Sequence, residues 1–498
     1  MFKRITLLAV LSILCSAAVQ AQDAPRKPFI IDTDMAADDW MAIVYLLSRT
    51  DVEVKAITVT GTGEAHCNPG VQNAMNLVAV AGSPEVPVAC GRETPLDGNH
   101  TFPQAWREGV DNMQGLTLAA NPNPPDARNA VQLLIDIIGD SPDKVTLVTL
   151  GPLTNIAEWV QADPSGIDNL EMMVIMGGAI SVPGNLQGSI ETDNTTAEWN
   201  IYVDPHAANI VIESGAPVTL VPLDATNDVP VTMAFYRVMQ KDHATPAADF
   251  VFQALTSSLD FIQSGGYWFW DSLAAVVATE GKNVVAIQGG AAHVIVGEGE
   301  ESGRTVLGRG KGMIRAAYHA DREKFEQIFL NVLNGRDPYA VSQVAAAEPG
   351  DPDANKAIVR RYFEEGWGEQ NSPAIDELVD PGYVSYNNSD DFAGNLDSLK
   401  VTIASFHQLA PDMTVRVDQL IAEGDTVAAR VVITGTHTGD VFNLKPTNKP
   451  ITITINSMVS LSDGKIVEEW QAFDALSILI TIGVIPEDIL SQFYNTGS

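Results

Sequence analysis

From residue 29 onward, short apolar runs take turns with longer amphipathic stretches, and this alternation narrows the possible folds more than any other feature. Residues 29–31, 54–60, 86–89, 145–150, 172–176 and 218–222 are compact, mostly β-branched runs that read as strands. Between them, 40–47, 71–81, 130–138, a stretch from 155, and 205–213 carry helical spacing. Strands that are apolar throughout must be covered on both faces, and helical crossovers between them make neighbours parallel. The expected fold is therefore α/β, a mostly parallel sheet covered by helices on both faces.

The pattern breaks at 341–354. Residues 345–352 read Ala-Ala-Ala-Glu-Pro-Gly-Asp-Pro, small and rich in Pro and Gly, as in a linker. Beyond it, a helix at 356–366 and a second near 376–379 precede long β-branched runs at 414–417, 426–436 and 451–460, which predicts a compact α+β unit. The chain thus divides into 28–341, a linker at 342–354, and 355–498. At the start, Lys3 and Arg4 precede an apolar run at 5–14, and Val19-Gln20-Ala21 offers the small residues of a cleavage site. That run is too short to span a bilayer, so 1–21 reads as a signal peptide cut after Ala21, which directs the chain to the periplasm or the medium. Leu14 is too large for a lipid-attachment site at Cys15. No later stretch approaches a membrane span, so no membrane partner is expected after cleavage. The net charge of −34 serves solubility and repels phosphate backbones, which argues against a nucleic-acid partner. Cys67 and Cys90 survive cleavage and could pair in an oxidising compartment, but two cysteines are no disulfide framework.

The chemistry is concentrated in Asp32-Thr33-Asp34-Met35-Ala36-Ala37-Asp38-Asp39, where the first strand ends and a helix begins. Ligands of open α/β sheets bind at that edge. Asp38 or Asp39 as a helix cap explains one acid, not four within eight residues. Crowded carboxylates raise one another's pKa, and a hard divalent cation relieves them; calcium takes roughly six to eight oxygen ligands. The competing reading is a solvated acidic loop.

Asp32-x-Asp34-x-x-x-Asp38-Asp39 resembles the N-terminal signature of the inosine–uridine-preferring nucleoside hydrolases. Further matches follow in family order: Val59-Thr60-Gly61, Gly151-Pro152-Leu153-Thr154-Asn155, Met176-Gly177-Gly178, Glu198-Trp199-Asn200 with Val203-Asp204-Pro205, and Phe269-Trp270-Asp271-Ser272-Leu273-Ala274. The resemblance covers roughly 28–338. It implies calcium-dependent cleavage of the N-glycosidic bond of a ribonucleoside to ribose and free base. Asp34 would be the general base and a calcium ligand, with Asp39, Asp271 and the backbone carbonyl of Leu150 as further ligands. Asp38 would accept from the ribose 2-hydroxyl. Asn200 would hold the sugar hydroxyls, Asn185 and Glu198 the 5-hydroxyl, and Asp32 would support the loop. These roles suit an oxocarbenium-like transition state, whose positive ribose carboxylates stabilise. Asp204 reads rather as a helix cap, and Gly177-Gly178 as a site of close backbone approach.

Two departures stand out. The family's Pro-Gly is Met35-Ala36 here, which Ala accommodates only where φ stays negative. The His that precedes the last aspartate in purine-active members, and protonates the leaving base, is Trp270. Stacking by Trp270, Trp268, Tyr267 and Trp199 could replace it, unless these rings are core or rim packing. His66 and His100 are alternative proton donors, or simply solvated loop residues. Residues 186–196 form a longer insertion than usual, a lid or a surface loop. A nucleoside- or sugar-binding protein that kept the fold without turnover is the rival to an enzyme.

The second unit resembles the SnoaL-like branch of the NTF2-like fold through Ala357-Ile358-Val359-Arg360-Arg361-Tyr362-Phe363, Ile421-Ala422-Glu423-Gly424-Asp425, Gly435-Thr436-His437-Thr438-Gly439 and Gly464-Lys465-Ile466-Val467-Glu468-Glu469-Trp470. This implies a cone-shaped pocket with Asp474 at the cyclase acid/base position and His437 facing inward. The alternatives are a turn cap and a strand-surface residue, so an accessory ligand-binding or dimerising unit is favoured over a second active site. Both families commonly form dimers or tetramers, so a homo-oligomer is expected.

Overall fold

The apolar runs become strands because their side chains alternate between two separate cores. In β1 (Lys27–Thr33), Phe29 and Ile31 join one core with Val148, Val174 and Val221, whereas Ile30 joins the other with Leu147, Ile175 and Leu220. The computed structural model describes residues 25–340, 351–387, 393–440, 445–482 and 485; the expected signal peptide and most of the expected linker lie outside the described residues.

The first sheet also contains β2 (Val52–Val59), β3 (Val88–Cys90), β4 (Val145–Thr149), β5 (Leu170–Met176), β6 (Val218–Val221), β7 (Val285–Val294), β8 (Thr305–Leu307) and β9 (Gly312–Ala320). Its order is β3-β2-β1-β4-β5-β6-β9-β7-β8, parallel from β3 to β9 and antiparallel at the β7–β8 edge. The expected parallel sheet with two covered faces is observed; the antiparallel edge was not anticipated, since Gly289-Gly290 interrupts the apolar pattern of β7. The chain winds outward from β1 to β3, then returns to β4 on the other side of β1. The carboxyl ends of β1 and β4 therefore flank a topological switch point, where a crevice opens.

Helix Ala37–Ser48 packs across the first core, burying eight consecutive residues, Asp39 to Leu46. Trp40 is fully buried and its indole N–H donates to the Met35 carbonyl at 2.8 Å. Truncating such a ring to Ala costs about 3–5 kcal/mol, so this helix is firmly seated beside the crevice.

The second unit is a six-stranded sheet with order β11-β10-β15-β14-β13-β12. Its strands are β10 (Val379–Asn387), β11 (Ala393–Asn395), β12 (Thr414–Glu423), β13 (Thr426–Thr436), β14 (Pro450–Ser462) and β15 (Lys465–Phe473). Alternate residues Val427, Val431, Ile453 and Ile455 meet the helices in a third core. The expected order of helices followed by strands is corrected: β10 and β11 precede helix Leu396–Leu409.

Cys67 and Cys90 form a disulfide between the start of helix Cys67–Val80 and the end of β3, their Cα atoms 5.6 Å apart. It closes 23 residues. Closing a loop of that size constrains the unfolded chain by about 3 kcal/mol. The double variant Cys67→Ser, Cys90→Ser is expected to unfold at a clearly lower temperature under non-reducing conditions; an unchanged midpoint by calorimetry would show the bond to be idle.

Candidate active site

β1 ends at Thr33, and the chain has three residues in which to enter helix Ala37–Ser48. The sharp turn places Met35 in the left-handed region at φ 60°, while Ala36 keeps φ −60°. The Pro-Gly departure is thus absorbed at Met35, at about 1–2 kcal/mol of backbone strain. The turn is held because the Thr33 hydroxyl oxygen accepts the Met35 N–H at 2.9 Å and the Met35 side chain is fully buried. Ala36 is the N-cap and no side chain caps this helix, so the capping explanation of Asp38 or Asp39 is corrected: both lie inside the first turn.

Asp34 is wedged between two glycines. A Cβ on Gly63 would lie 2.0 Å from the Asp34 Cβ, and one on Gly151 2.7 Å from it. Its Oδ2 accepts the Glu64 N–H at 3.1 Å, and its own N–H donates to Asp39 Oδ1 at 3.2 Å. The Thr33 hydroxyl donates to the same Asp39 oxygen. Beneath them, Asp32 Oδ1 accepts from the Thr58 hydroxyl at 2.5 Å and the Asn155 amide at 2.8 Å, tying β1 to β2 and to helix Thr154–Ala162.

Asp271 comes from the first turn of helix Trp270–Glu280, which packs against helix Ala37–Ser48. Both helix starts favour negative charge. One oxygen each of Asp38, Asp39 and Asp271 lie within 4.8 Å of one another. Asp39 Oδ2 and Asp271 Oδ1 are buried without a hydrogen-bond partner. Orphaned carboxylate oxygens this close fit a hard divalent cation. Of the expected ligands, Asp39 and Asp271 belong to this trio; Asp34 is bonded to Asp39 through its N–H, its Oδ2 accepts the Glu64 N–H, and the Leu150 carbonyl accepts the Asn200 amide at 2.8 Å.

Burial pushes Asp34 up to about 6 against the hydrogen bonds it accepts, and burial with repulsion from the neighbouring acids pushes Asp38 to about 7 and Asp39 and Asp271 well above the usual range. Half-buried Glu64 is pushed up for the same reasons, with Arg107 opposing. Asp32 rises to about 7 through burial, against the bonds from Thr58 and Asn155.

Above this floor lies a cavity of about 780 Å³. Asp34, Asp38, Asp39, Leu150, Asn185, Glu198, Trp199, Asn200, Trp270 and Asp271 all line it, so the structure brings the expected residues of the first unit together. Glu198 caps the short helix Trp199–Val203, accepting from the backbone of Gly178, Asn200 and Ile201, and burial pushes it to about 7. Asn185 Oδ1 accepts the Trp199 N–H at 3.1 Å. Gln187 and Ser189 of the expected insertion also reach the cavity.

Two aromatic clusters line the cavity. In one, Trp199 stacks on Phe102 with centroids 5.0 Å apart and tilts against Trp106 at 5.4 Å. In the other, Trp270 packs against Tyr267 at 5.8 Å and Trp268 at 5.7 Å. Sequence reasoning missed Phe102, Trp106, Glu64, Gln114 and Asp260. Phe102 and Trp106 flank the start of helix Gln104–Asp111, whose 3.6-residue pattern was readable; Glu64 follows the recognised Val59-Thr60-Gly61 and was overlooked.

Both candidate histidines turn elsewhere. His66 Nδ1 meets Asp111 at 2.7 Å, and His100 stacks on Tyr202 with Nδ1 2.7 Å from the Tyr202 carbonyl; neither lines the cavity. Asp204 caps helix Pro205–Glu213 as expected. In the second unit, Tyr362, Phe363, Trp367 and Tyr383 are buried, Glu469 accepts from the hydroxyls of Tyr362, Tyr383 and Ser457, and a cavity of about 550 Å³ is lined by Tyr386, Arg430, Ser457, Met458 and Trp470. His437 is buried, with Nδ1 3.1 Å from the Thr447 hydroxyl, and Asp474 is exposed; neither lines a cavity found among the described residues.

Fold and floor together define an α/β protein with an acid-rich, cation-demanding crevice for a ligand with a polar end and a flat end. The chain belongs to the inosine-uridine preferring nucleoside hydrolase family, whose model matches residues 29–327. A SnoaL-like polyketide cyclase model matches 357–481. A probable uridine nucleosidase of Oryza sativa is 36% identical over 204 residues, covering 41% of this chain and 60% of the relative. A pyrimidine-specific ribonucleoside hydrolase of Salmonella enteritidis is 35% identical, covering 42% of this chain and 63% of the relative. The chain therefore spans about three fifths of the length of these curated relatives. Among solved structures, a plant nucleoside hydrolase superposes with TM-score 0.56 at 27% identity, covering 62% of this chain and 99% of that one. A purine-preferring ribonucleoside hydrolase of Gardnerella vaginalis gives 0.53 at 27%, covering 62% and 98%.

The raised acids bear on stability. Each holds its proton more tightly folded than unfolded, so without a cation the contribution of these acids to stability is fully present below about pH 4, the unfolded range. It is lost as pH rises towards the folded values of about 6 to 7. Metal-free protein is expected to melt at lower temperature at pH 8 than at pH 5, and millimolar calcium should raise the pH 8 midpoint. A midpoint indifferent to both would remove the case for a cation.

Proposed function

We propose that this chain hydrolyses the N-glycosidic bond of ribonucleosides, releasing ribose and free base, and depends on calcium. The observation that carries the reading is a cluster of carboxylates with orphaned oxygens in a cavity that two aromatic clusters also line. The ribose suits the floor and the flat base suits the cleft. Asp34, Asp39, Asp271 and the Leu150 carbonyl would hold the cation, and Asp38, with a carboxylate oxygen within 4.8 Å of those of Asp39 and Asp271, would accept from the ribose 2-hydroxyl. When bound, the cation supplies a fixed positive charge that orients and acidifies a water. Asp34, pinned by Gly63 and Gly151, accepts that water's proton at its carboxylate. The carboxylates stabilise the positive charge that grows on the ribose. Asn185 and Asn200 present side chains to the sugar end. Trp199 and Trp270, which both line the cavity, offer the leaving base stacking surfaces, in the absence of any histidine lining the cavity among the described residues.

Relatives include a uridine nucleosidase and a purine-preferring hydrolase, so both base classes belong in the first substrate panel. The division into 28–341 and 355–498, export to the periplasm or medium, and a homo-oligomeric working form complete the reading; the Cys67–Cys90 bond supports an oxidising destination. The rival, a nucleoside-binding protein without turnover, is favoured by Trp270 in the place of the family histidine.

Asp34→Asn separates the two. Loss of the base is expected to lower kcat by roughly 10²–10⁴-fold while nucleoside binding by calorimetry is largely kept. Equal ribose release by wild type and variant would sink the assignment.

A further inference from the structure

The cavity wall formed by Tyr267, Trp268 and Trp270 does not stand alone. Helix Leu259–Gln263 contributes Asp260 and Phe261 to the cavity, and Phe261 stacks on Tyr267 at 5.3 Å. The same short helix packs on its other side against β10 and β11 of the second unit. A Cβ on Gly382 of β10 would lie 3.9 Å from the Gln263 side chain.

A second route reaches the wall from below. Val231 N–H donates to the Tyr267 carbonyl at 2.8 Å, and Phe269 N–H to the Val229 carbonyl at 3.0 Å, so 229–231 backs 267–269 like a short strand. Helix Met233–Lys241 follows directly and is clamped to the second unit. The Arg237 guanidinium donates to the Gly382 carbonyl at 2.8 Å and the Val467 carbonyl at 3.1 Å, bridging β10 and β15. Asp380 and Glu468 flank it, and its Nε is buried without a partner. Lys241 pairs with Asp463 at 2.7 Å. Val384 of β10 is buried in the first unit's core, and Tyr386 packs against that core.

A tether would need only the linker. Half-burying a guanidinium costs desolvation that a mere tether need not meet, and Val384 gains apolar burial only with the two units in contact. We propose that the C-terminal unit buttresses the aromatic wall of the nucleoside cleft, with Arg237 as the positioning residue, so that grip on the base depends on the appended unit. The inference rests on the nucleoside-hydrolase reading and deepens it.

The test uses the full chain with Arg237→Met, Arg237→Lys as the conservative variant, and Gly382→Ala, whose Cβ would press on the Met233 methyl at 2.6 Å. Backbone hydrogen exchange is expected to quicken at 257–270 but not at 32–39. KM for the nucleoside should rise about fivefold, the scale of one aromatic contact, with kcat within about twofold and inhibition by free ribose unchanged. Arg237→Lys should fall between. Faster exchange at 379–387 with 257–270 unmoved, or an unchanged KM, would overturn the proposal. Should Arg237→Met not fold, Gly382→Ala carries the same readouts. A wild type that releases no ribose would fail the hydrolase reading alone, and the exchange measurement would still decide the coupling.

Discussion

Like charges gathered in a dry place govern this molecule. Asp34, Asp38, Asp39 and Asp271 converge where β1 meets the switch point, and burial drives their pKa values up, joined by mutual repulsion at Asp38, Asp39 and Asp271. Everything around them works to keep them there. Asp32 is locked beneath by Thr58 and Asn155, Met35 accepts a left-handed backbone, Gly63 and Gly151 leave out the Cβ atoms that would displace Asp34, and two helix starts point at the cluster. A fold that served stability alone would gain by replacing several of these acids with apolar residues. Their retention is intelligible if a cation and a sugar complete the site.

The architecture of the first sheet was legible because parallel strands buried on both faces leave unbroken apolar runs, as 172–176 does. The floor was legible too, since its acids sit on recognisable turns at strand ends. What escaped were features carried by irregular segments. Trp106 lies in helix Gln104–Asp111 and Phe102 just before it, a readable helical stretch that was passed over, and Glu64 reaches the cavity only because the loop after β2 folds back over Asp34. The antiparallel edge and the helices between 233 and 263 were hidden by Gly-rich or short patterns. The two histidines were misplaced because position near a strand end does not tell where a ring points; each is captured by a nearer partner, Asp111 or Tyr202.

The second unit shows how a familiar fold can be put to another purpose. Its strand runs were readable; its core buries Tyr362, Phe363, Trp367 and Tyr383, and Glu469 accepts from three hydroxyls. Part of its exterior lies against helix Leu259–Gln263, which contributes Asp260 and Phe261 to the cavity of the first unit.

The most direct test of the central claim is ribose release from a panel of purine and pyrimidine nucleosides, by the full chain stripped of metal and then resupplied with calcium. The account predicts no release after chelation and recovery on adding calcium. Release that is indifferent to chelation, or none under any condition with calcium bound, would contradict it.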